Sequence, residues 1–374
     1  MIKFLSIHTA FFHKKCCVDL KNPYQGRFIN VGRNWGLDRN DIWTVETGKK
    51  ELSNEEIPLV LVHGFGAGVG IWALNLDSLS NNRKVYAFDV LGFGRSSRPK
   101  FDKSEEVEWQ IVQSFEWWRR EVGLEKKFIL LGHSFGAYLA LSYALHFPDK
   151  IAHLILADPW GIPSQQQQSQ ESSQEAPNRV VIPLWARIVA RLVFKTFSPL
   201  SILRAAGPWG PSLVHKTRPD LKHKFEAFFG PEDADLILDY IYHCNAQDRP
   251  SGEVAFKSLT GGLGWAKFPM IQRIGDLHPD INLTFIYGAR SWIDRQPALQ
   301  IKCLLNDRSV DVHVIQGAGH HVYADKHDMF NDLVNATCRE VEERINPSDG
   351  IESSPRRRAP TGSRRSVENL HDQD

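Results

Sequence analysis

The stretch Phe128–Phe147, FILLGHSFGAYLALSYALHF, limits what this chain can become more than any other. Four apolar residues, Phe128 to Leu131, run into Gly132-His133-Ser134-Phe135-Gly136, and Tyr138, Leu141 and Leu145 follow at helical spacing. The pattern predicts a buried strand, a very tight turn and a helix. A serine at such a turn is forced into a sharp backbone bend that lifts its hydroxyl clear of the sheet, and its neighbours must be nearly free of side chain. Gly132 and Gly136 meet that demand. A bare G-x-S-x-G occurs often by chance, so the strand before it and the helix after it are what make Ser134 a candidate nucleophile and not a surface serine. The turn also sets the first helical amide, that of Phe135, where the positive end of the helix dipole can hold a developing oxyanion.

Around this centre the chain alternates. Asp41 to Val45 and Pro58 to Val62 read as strands, and the second ends in His63-Gly64-Phe65-Gly66. Val85 to Asp89 is a further strand, and Ser104 to Leu124 carries Val107, Ile111, Phe115 and Trp118 at helical spacing. After the central helix, His153 to Ala157 forms another strand, ending in Asp158-Pro159-Trp160-Gly161. Strand and helix in alternation imply an α/β fold with a mostly parallel sheet covered on both faces. The alternation stops at the polar run SQQQQSQESSQEAPN, which cannot bury enough apolar surface to offset its ordering entropy. It resumes with strands at Leu283 to Tyr287 and Val310 to Ile315 and a last amphipathic helix through Ile345. The predicted organisation is an N-terminal segment (1–40) that is a candidate membrane contact, a first core part (41–163), a polar disordered insert (164–179), a helical cap (180–275), a second core part (276–346) and a basic disordered tail (347–374).

Composition narrows the partners. The net charge is +1 with 24% charged residues, which gives no bulk electrostatic case for nucleic acid. Five cysteines, without C-x-x-C spacing and spread over different elements, point to a reducing compartment with neither a disulfide framework nor a zinc site. No apolar run approaches the roughly 18 to 20 residues of a spanning helix, so any contact with lipid is from the surface. Two segments are candidates for that contact. Lys14, Lys15, Cys16 and Cys17 read as an S-acylated site at an anionic membrane face, as a frayed terminus, or as part of a basic mitochondrial-targeting start. Ile182 to Phe197 places Arg187, Arg191 and Lys195 on one face of a helix opposite Leu184, Ile188 and Leu192, which fits a headgroup boundary or a cap helix with a solvated charged face.

A serine hydroxyl is a poor nucleophile at neutral pH and needs a base and a group to orient that base. In a sheet of this kind the partners stand at the ends of later strands. Asp294 follows the strand ending at Tyr287, and His320 follows the strand ending at Ile315. Ser134, Asp294 and His320 then stand in the Ser…Asp…His order of the α/β-hydrolase fold. His321 is the rival base, and Asp158, one strand earlier, the rival acid. The Phe65 amide, in the glycine-rich loop after an early strand, is the expected second oxyanion donor beside that of Phe135. His320 and Asp325 also form an H-x4-D pair, the spacing of some acyltransferases; the other reading of Asp325 is a cap on the last helix. HGFGAG lacks the Lys-Ser/Thr of a phosphate loop, and no cofactor or metal is implied.

LVHGFGAGVGIWALNLDSLS, FDVLGFGRSSRP, AGPWGPSLV, YIYHCN, GWAKFPMIQRI, YGARSWID and GAGHHVYAD closely resemble the α/β-hydrolase-domain subfamily four and five. The resemblance runs from about Asp41 to Ile345. It implies an α/β-hydrolase fold with a helical cap and a lipid-metabolising serine hydrolase acting on acyl esters of phospholipids or lysophospholipids, such as N-acyl phosphatidylethanolamines. It also implies, as alternatives, lysophosphatidic acid acyltransfer from a donor such as acyl-CoA to give phosphatidic acid, or non-enzymatic activation of a triacylglycerol lipase. The branch of the group with Asn at the turn is a coactivator; with Ser134 this chain looks like the catalytically equipped branch. The implied location is cytoplasmic and peripheral on lipid droplets or intracellular membranes, although the tryptophan-rich droplet anchor of the group is absent.

Overall fold

Five of the eight strands among the described residues are buried along their whole length, which only a sheet covered on both faces can provide. The computed structural model describes residues 20–32, 39–48, 56–101, 106–164, 200–261 and 264–347. The strands are β1 (Tyr24–Asn30), β2 (Asp41–Thr47), β3 (Leu59–Val62), β4 (Val85–Phe88), β5 (Phe128–His133), β6 (Ile151–Ala157), β7 (Leu283–Gly288) and β8 (Val310–Ile315). They lie in the order β1-β2-β4-β3-β5-β6-β7-β8. Every pairing from β4 to β8 is parallel, and the β1–β2 and β2–β4 pairings are antiparallel.

Successive residues of a strand point to opposite faces, and the core divides accordingly. Val60, Val62, Leu130 and Leu154 join one apolar cluster with Phe115, Trp118, Tyr138 and Tyr143; Leu59, Leu61, Leu131 and Ile155 join the other with Trp72, Tyr323, Phe330 and Val334. The first cluster lies under α2 (Val107–Glu121) and α3 (Phe135–His146), while the second lies under α1 (Leu76–Leu79), α10 (Val322–Asp325) and α11 (His327–Ile345). α9 (Gln296–Leu304) links β7 to β8.

The sheet begins earlier than the sequence suggests. β1 lies within the stretch assigned to an N-terminal segment ending at residue 40, and it pairs with β2 over its full length. An edge strand needs no alternation of apolar residues, and β1 leaves Tyr24 and Phe28 exposed, so the hydrophobic pattern carries no signal there.

Between β6 and β7 the chain leaves the sheet and forms α4 (Ser201–Ala205), α5 (Gly210–Thr217), α6 (Pro219–Asp233), α7 (Leu236–Asn245) and α8 (Ser251–Leu259), all within the stretch expected as a cap. α7 clamps the loop after β3: the Asn245 side-chain amide donates to the Gly66 carbonyl at 2.6 Å and the Gly70 amide to the Tyr240 hydroxyl at 3.0 Å. Arg98 reaches from the loop after β4 to the Cys244 carbonyl at 2.9 Å. Cys16 and Cys17, the polar insert beyond Ser164, the basic pattern at 182–197 and the tail from 348 onward lie outside the described residues. Among the described residues no helix is long and apolar enough to cross a membrane, and Cys244, Cys303 and Cys338 are free thiols.

Candidate active site

The turn after β5 has the geometry its glycines permit. Ser134 sits at φ 54° and ψ −116°, a region that costs a residue with a side chain about 1–3 kcal/mol. The neighbourhood holds it there: its amide donates to the Ala157 carbonyl at 3.0 Å, and its carbonyl accepts the amides of Ala137 at 3.0 Å and Trp160 at 3.2 Å. A Cβ on Gly132 would overlap the Gly136 carbonyl, and one on Gly136 would run into the carbonyls of Val62 and His63. The helix therefore packs against β3 and β5 at a distance only glycine allows.

His320 stands in the loop after β8 with Nε2 3.1 Å from Ser134 Oγ. Its Nδ1 lies 2.6 Å from Asp158 Oδ2. A fully buried carboxylate on Nδ1 fixes the proton there and leaves the Nε2 lone pair toward the hydroxyl. The carboxylate is itself held, by the Gly288 amide at 3.2 Å and by the hydroxyl of Ser291. Among the described residues no hydrogen bond joins the ring of His321, the rival base, to Ser134 or Asp158, and its pKa is driven well below the usual value by burial, with Lys224 adding to the effect.

The carboxylate on the His320 imidazole is that of Asp158 and not, as expected, that of Asp294. The turn after β7 brings Ser291 to the site, and Asp294 lies three residues further on, where it accepts the Gln296 amide at 3.0 Å at the start of α9. Asp158 is the first residue beyond β6, its amide bonded to Ile286 of β7 at 2.7 Å and its φ at 43°. The chain order Ser…Asp…His does not separate the two, since 134, 158 and 320 satisfy it as well as 134, 294 and 320 do. The sequence signal was the aspartate placed directly at a strand end with Pro159 and Gly161 after it.

Among the described residues Asp325 neither caps the last helix nor bonds to the His320 ring. Its Oδ2 accepts the Gly319 amide at 2.8 Å and its Oδ1 pairs with Lys224 Nζ of α6 at 3.1 Å. The N-cap of α11 is Lys326, without a side-chain cap bond.

Two histidines escaped the sequence reading. His133 donates its Nε2 proton to the His320 carbonyl at 2.9 Å, tying the residue before Ser134 to the backbone of His320. Burial, and then the nearby His320 and His321, push its pKa well down and keep it neutral. His63 donates Nδ1–H to the Gly64 carbonyl at 2.8 Å and accepts the Val90 amide on Nε2 at 2.9 Å, and burial lowers its pKa to about 4. It fixes the loop carrying Phe65. That loop passes against the turn, with a Cβ on Gly64 only 3.2 Å from Ser134 Cβ. Among the described residues neither the Phe65 nor the Phe135 amide donates to another protein oxygen.

Aromatic rings roof the serine. Phe256 of α8 lies 4.3 Å from the Phe65 ring, 4.9 Å from Phe135 and 4.8 Å from Trp160, measured between centroids. Beside His320, whose ring lies 5.2 Å from that of Trp292, opens a mostly apolar groove of about 250 Å³ lined by Trp160, Pro163, Trp265, Trp292 and Ile293. Among the described residues no three metal-ligating side chains converge.

A family model described as alpha/beta hydrolase fold matches residues 57–327. The chain belongs to the α/β-hydrolase family. Within it, the similarity is to the subfamily that the motifs resemble. The chain is 46% identical over 324 residues to a human protein named (lyso)-N-acylphosphatidylethanolamine lipase, covering 86% of this chain and 89% of the relative. It is 50% identical over 304 residues to the human 1-acylglycerol-3-phosphate O-acyltransferase ABHD5, covering 81% and 83%. Among solved structures, a bacterial membrane phospholipase A aligns over 90% of this chain and 92% of its own, with a TM-score of 0.61 at 18% identity, a likeness of fold.

Proposed function

We propose that this α/β-hydrolase is a serine hydrolase that cleaves acyl esters of phospholipids and lysophospholipids of the N-acyl phosphatidylethanolamine type. The observation that carries the reading is the unbroken hydrogen-bonded line from Ser134 Oγ through His320 to Asp158. Ser134 attacks the ester carbonyl while His320 Nε2 takes its proton, and the imidazolium is stabilised by the Asp158 carboxylate. The Phe65 and Phe135 amides hold the oxyanion, where one donor is worth about 3 kcal/mol in the transition state. Collapse breaks the acyl–oxygen bond, His320 returns the proton to the departing lipid hydroxyl, and the acyl group stays on Ser134. Water, deprotonated by His320, then attacks the acyl-enzyme and frees the fatty acid. The apolar roof and the groove beside Trp292 suit an acyl chain, and the exposed indoles of Trp292 and Trp209 suit contact with a membrane or droplet surface. No metal or cofactor enters these steps.

A second reading is favoured by the 50% identity to a protein named as an acyltransferase. If a lysolipid hydroxyl reaches the acyl-enzyme before water, the same residues transfer the acyl group. A third, activation of a lipase through the cap, needs no turnover. Wild type and Ser134→Ala treated with a serine-directed phosphonate and a phospholipid panel separate these. Labelling and release of fatty acid, both lost in the variant, are the expected result. Acylated lysolipid as the main product would favour transfer, and an unlabelled wild type would overturn the enzyme readings together.

A further inference from the structure

The base of this site is held by its backbone from two sides. His133 takes the His320 carbonyl, and Asp325 takes the amide of Gly319, the residue before it. The first contact belongs to the core alone. The second does not, because the other oxygen of the Asp325 carboxylate pairs with Lys224 at 3.1 Å, and Lys224 rides on α6 of the cap. Both side chains are largely withdrawn from solvent, with 17% of Lys224 and 12% of Asp325 exposed, so the pair is less screened than a surface salt bridge. Lys224 is steadied by Asp220 at 3.1 Å, which Arg218 grips in turn at 3.0 and 3.1 Å. Among the described residues no hydrogen bond joins Asp325 to the His320 ring.

We propose that Asp325 is a positioning residue and Lys224 its cap-side partner, so that the docking of α6 on the core sets the loop that carries His320. The inference rests on His320 acting as the base of Ser134. A carboxylate shared between the cap and the Gly319 amide gives the loop one arrangement when the cap is docked. With α6 displaced, the carboxylate is free to rotate toward water and the amide loses its acceptor. The H-x4-D spacing is then explained without a proton-transfer role for Asp325: five residues carry the chain from His320 through α10 to Asp325, whose carboxylate turns back to the Gly319 amide just before the base.

The test is the rate of Ser134 labelling by a phosphonate in the full chain, together with the unfolding midpoint, for Lys224→Met, Asp325→Asn, their double variant, Lys224→Arg and Asp325→Ala. Lys224→Met and Asp325→Asn each break the ion pair and keep an acceptor for Gly319, and each is expected to slow labelling about fivefold, a typical size for coupling between contacting residues. The double variant should be no slower than either single one, Lys224→Arg should label near the wild-type rate, and Asp325→Ala should be slowest. On lipid substrate the loss should fall on kcat and not on KM. Additive effects in the double variant, wild-type labelling in both single variants, or a rate that merely follows the unfolding midpoint across the set would overturn the proposal. A wild type that does not label at all would instead overturn the hydrolase reading beneath it.

Discussion

Ser134 and Asp158 stand at the ends of neighbouring strands, both at positive φ, 54° and 43°, yet they are put in place by different means. The serine is set by its own surroundings in sequence. Gly132 and Gly136, two residues to either side, let β5, β3 and α3 approach closely enough to bend the chain. The aspartate is set by residues far along the chain. Its carboxylate bonds to Gly288, Ser291 and His320, which lie 130, 133 and 162 residues away. A local constraint fixes a residue's conformation, whereas only the finished sheet decides which carboxylate meets an imidazole.

The sharpest way to break that contrast is to exchange the carboxylates for amides. Asp158→Asn keeps the shape of the site but no longer holds the proton on His320 Nδ1, and kcat should fall on the order of 10⁴-fold, as in other serine triads. Asp294→Asn changes a carboxylate that meets no imidazole, at the start of α9 and the edge of the groove, and activity should stay within about threefold, in line with substitutions outside the core. Ester hydrolysis under single turnover checks both. If Asp294→Asn proved the more damaging variant, β7 and not β6 would supply the acid, and the observed pairing would not be the working one.

The same contrast explains what could be read in advance. The parallel sheet, the turn at Ser134, the loop at Phe65 and the position of His320 follow from glycine placement and apolar runs, which are local signals. The helices between β6 and β7 follow from the break in alternation. β1 was not, because an exposed edge strand has no apolar period to detect. Asp158 was named only as a rival, since chain order admits two acids and the choice depends on a turn, Ala289 to Ser291, that brings a serine where a carboxylate was expected. Asp325 reads in the sequence as a cap on the last helix or as the H-x4-D partner of His320, both judged by short spacing, and the contact that engages it comes from α6, about a hundred residues upstream.

The local half of the comparison sharpens through stability. Gly136→Ala adds one methyl group where the carbonyls of Val62 and His63 already stand, and no flexible side chain is there to yield. The expected loss is about 3 kcal/mol, the upper end for overpacking, seen as a lower urea midpoint. Asp158→Asn should leave the midpoint far less changed. A Gly136→Ala variant as stable as wild type would mean that α3 can retreat from β3, and the turn would then not be fixed by its glycines.

The most diagnostic effect for the loop beside the serine is in pH. His63 is buried and its pKa is lowered to about 4, chiefly by desolvation, against an ordinary value of 6.5. A histidine whose folded pKa is depressed binds protons more readily once unfolded. Its contribution, on the order of 3 kcal/mol, is present above pH 6.5 and is lost as the pH falls toward 4. Asp89, whose pKa burial raises to about 6, works in the opposite sense, because its buried charge is relieved as the pH falls through 6. His153, lowered to about 3, acts with His63. Wild-type stability against pH therefore mixes several groups, and the informative quantity is a difference. His63→Gln keeps an acceptor for the Val90 amide and removes one proton-binding site from the unfolded chain. The variant should start less stable at pH 7.5 and lose less on acidification to pH 4.5, so that the two curves converge. Parallel curves would show that His63 titrates in the fold as it does in the unfolded chain. The imidazole would then not be desolvated, and the neutral donor-acceptor pair would not be what sets the loop bearing Phe65 beside Ser134.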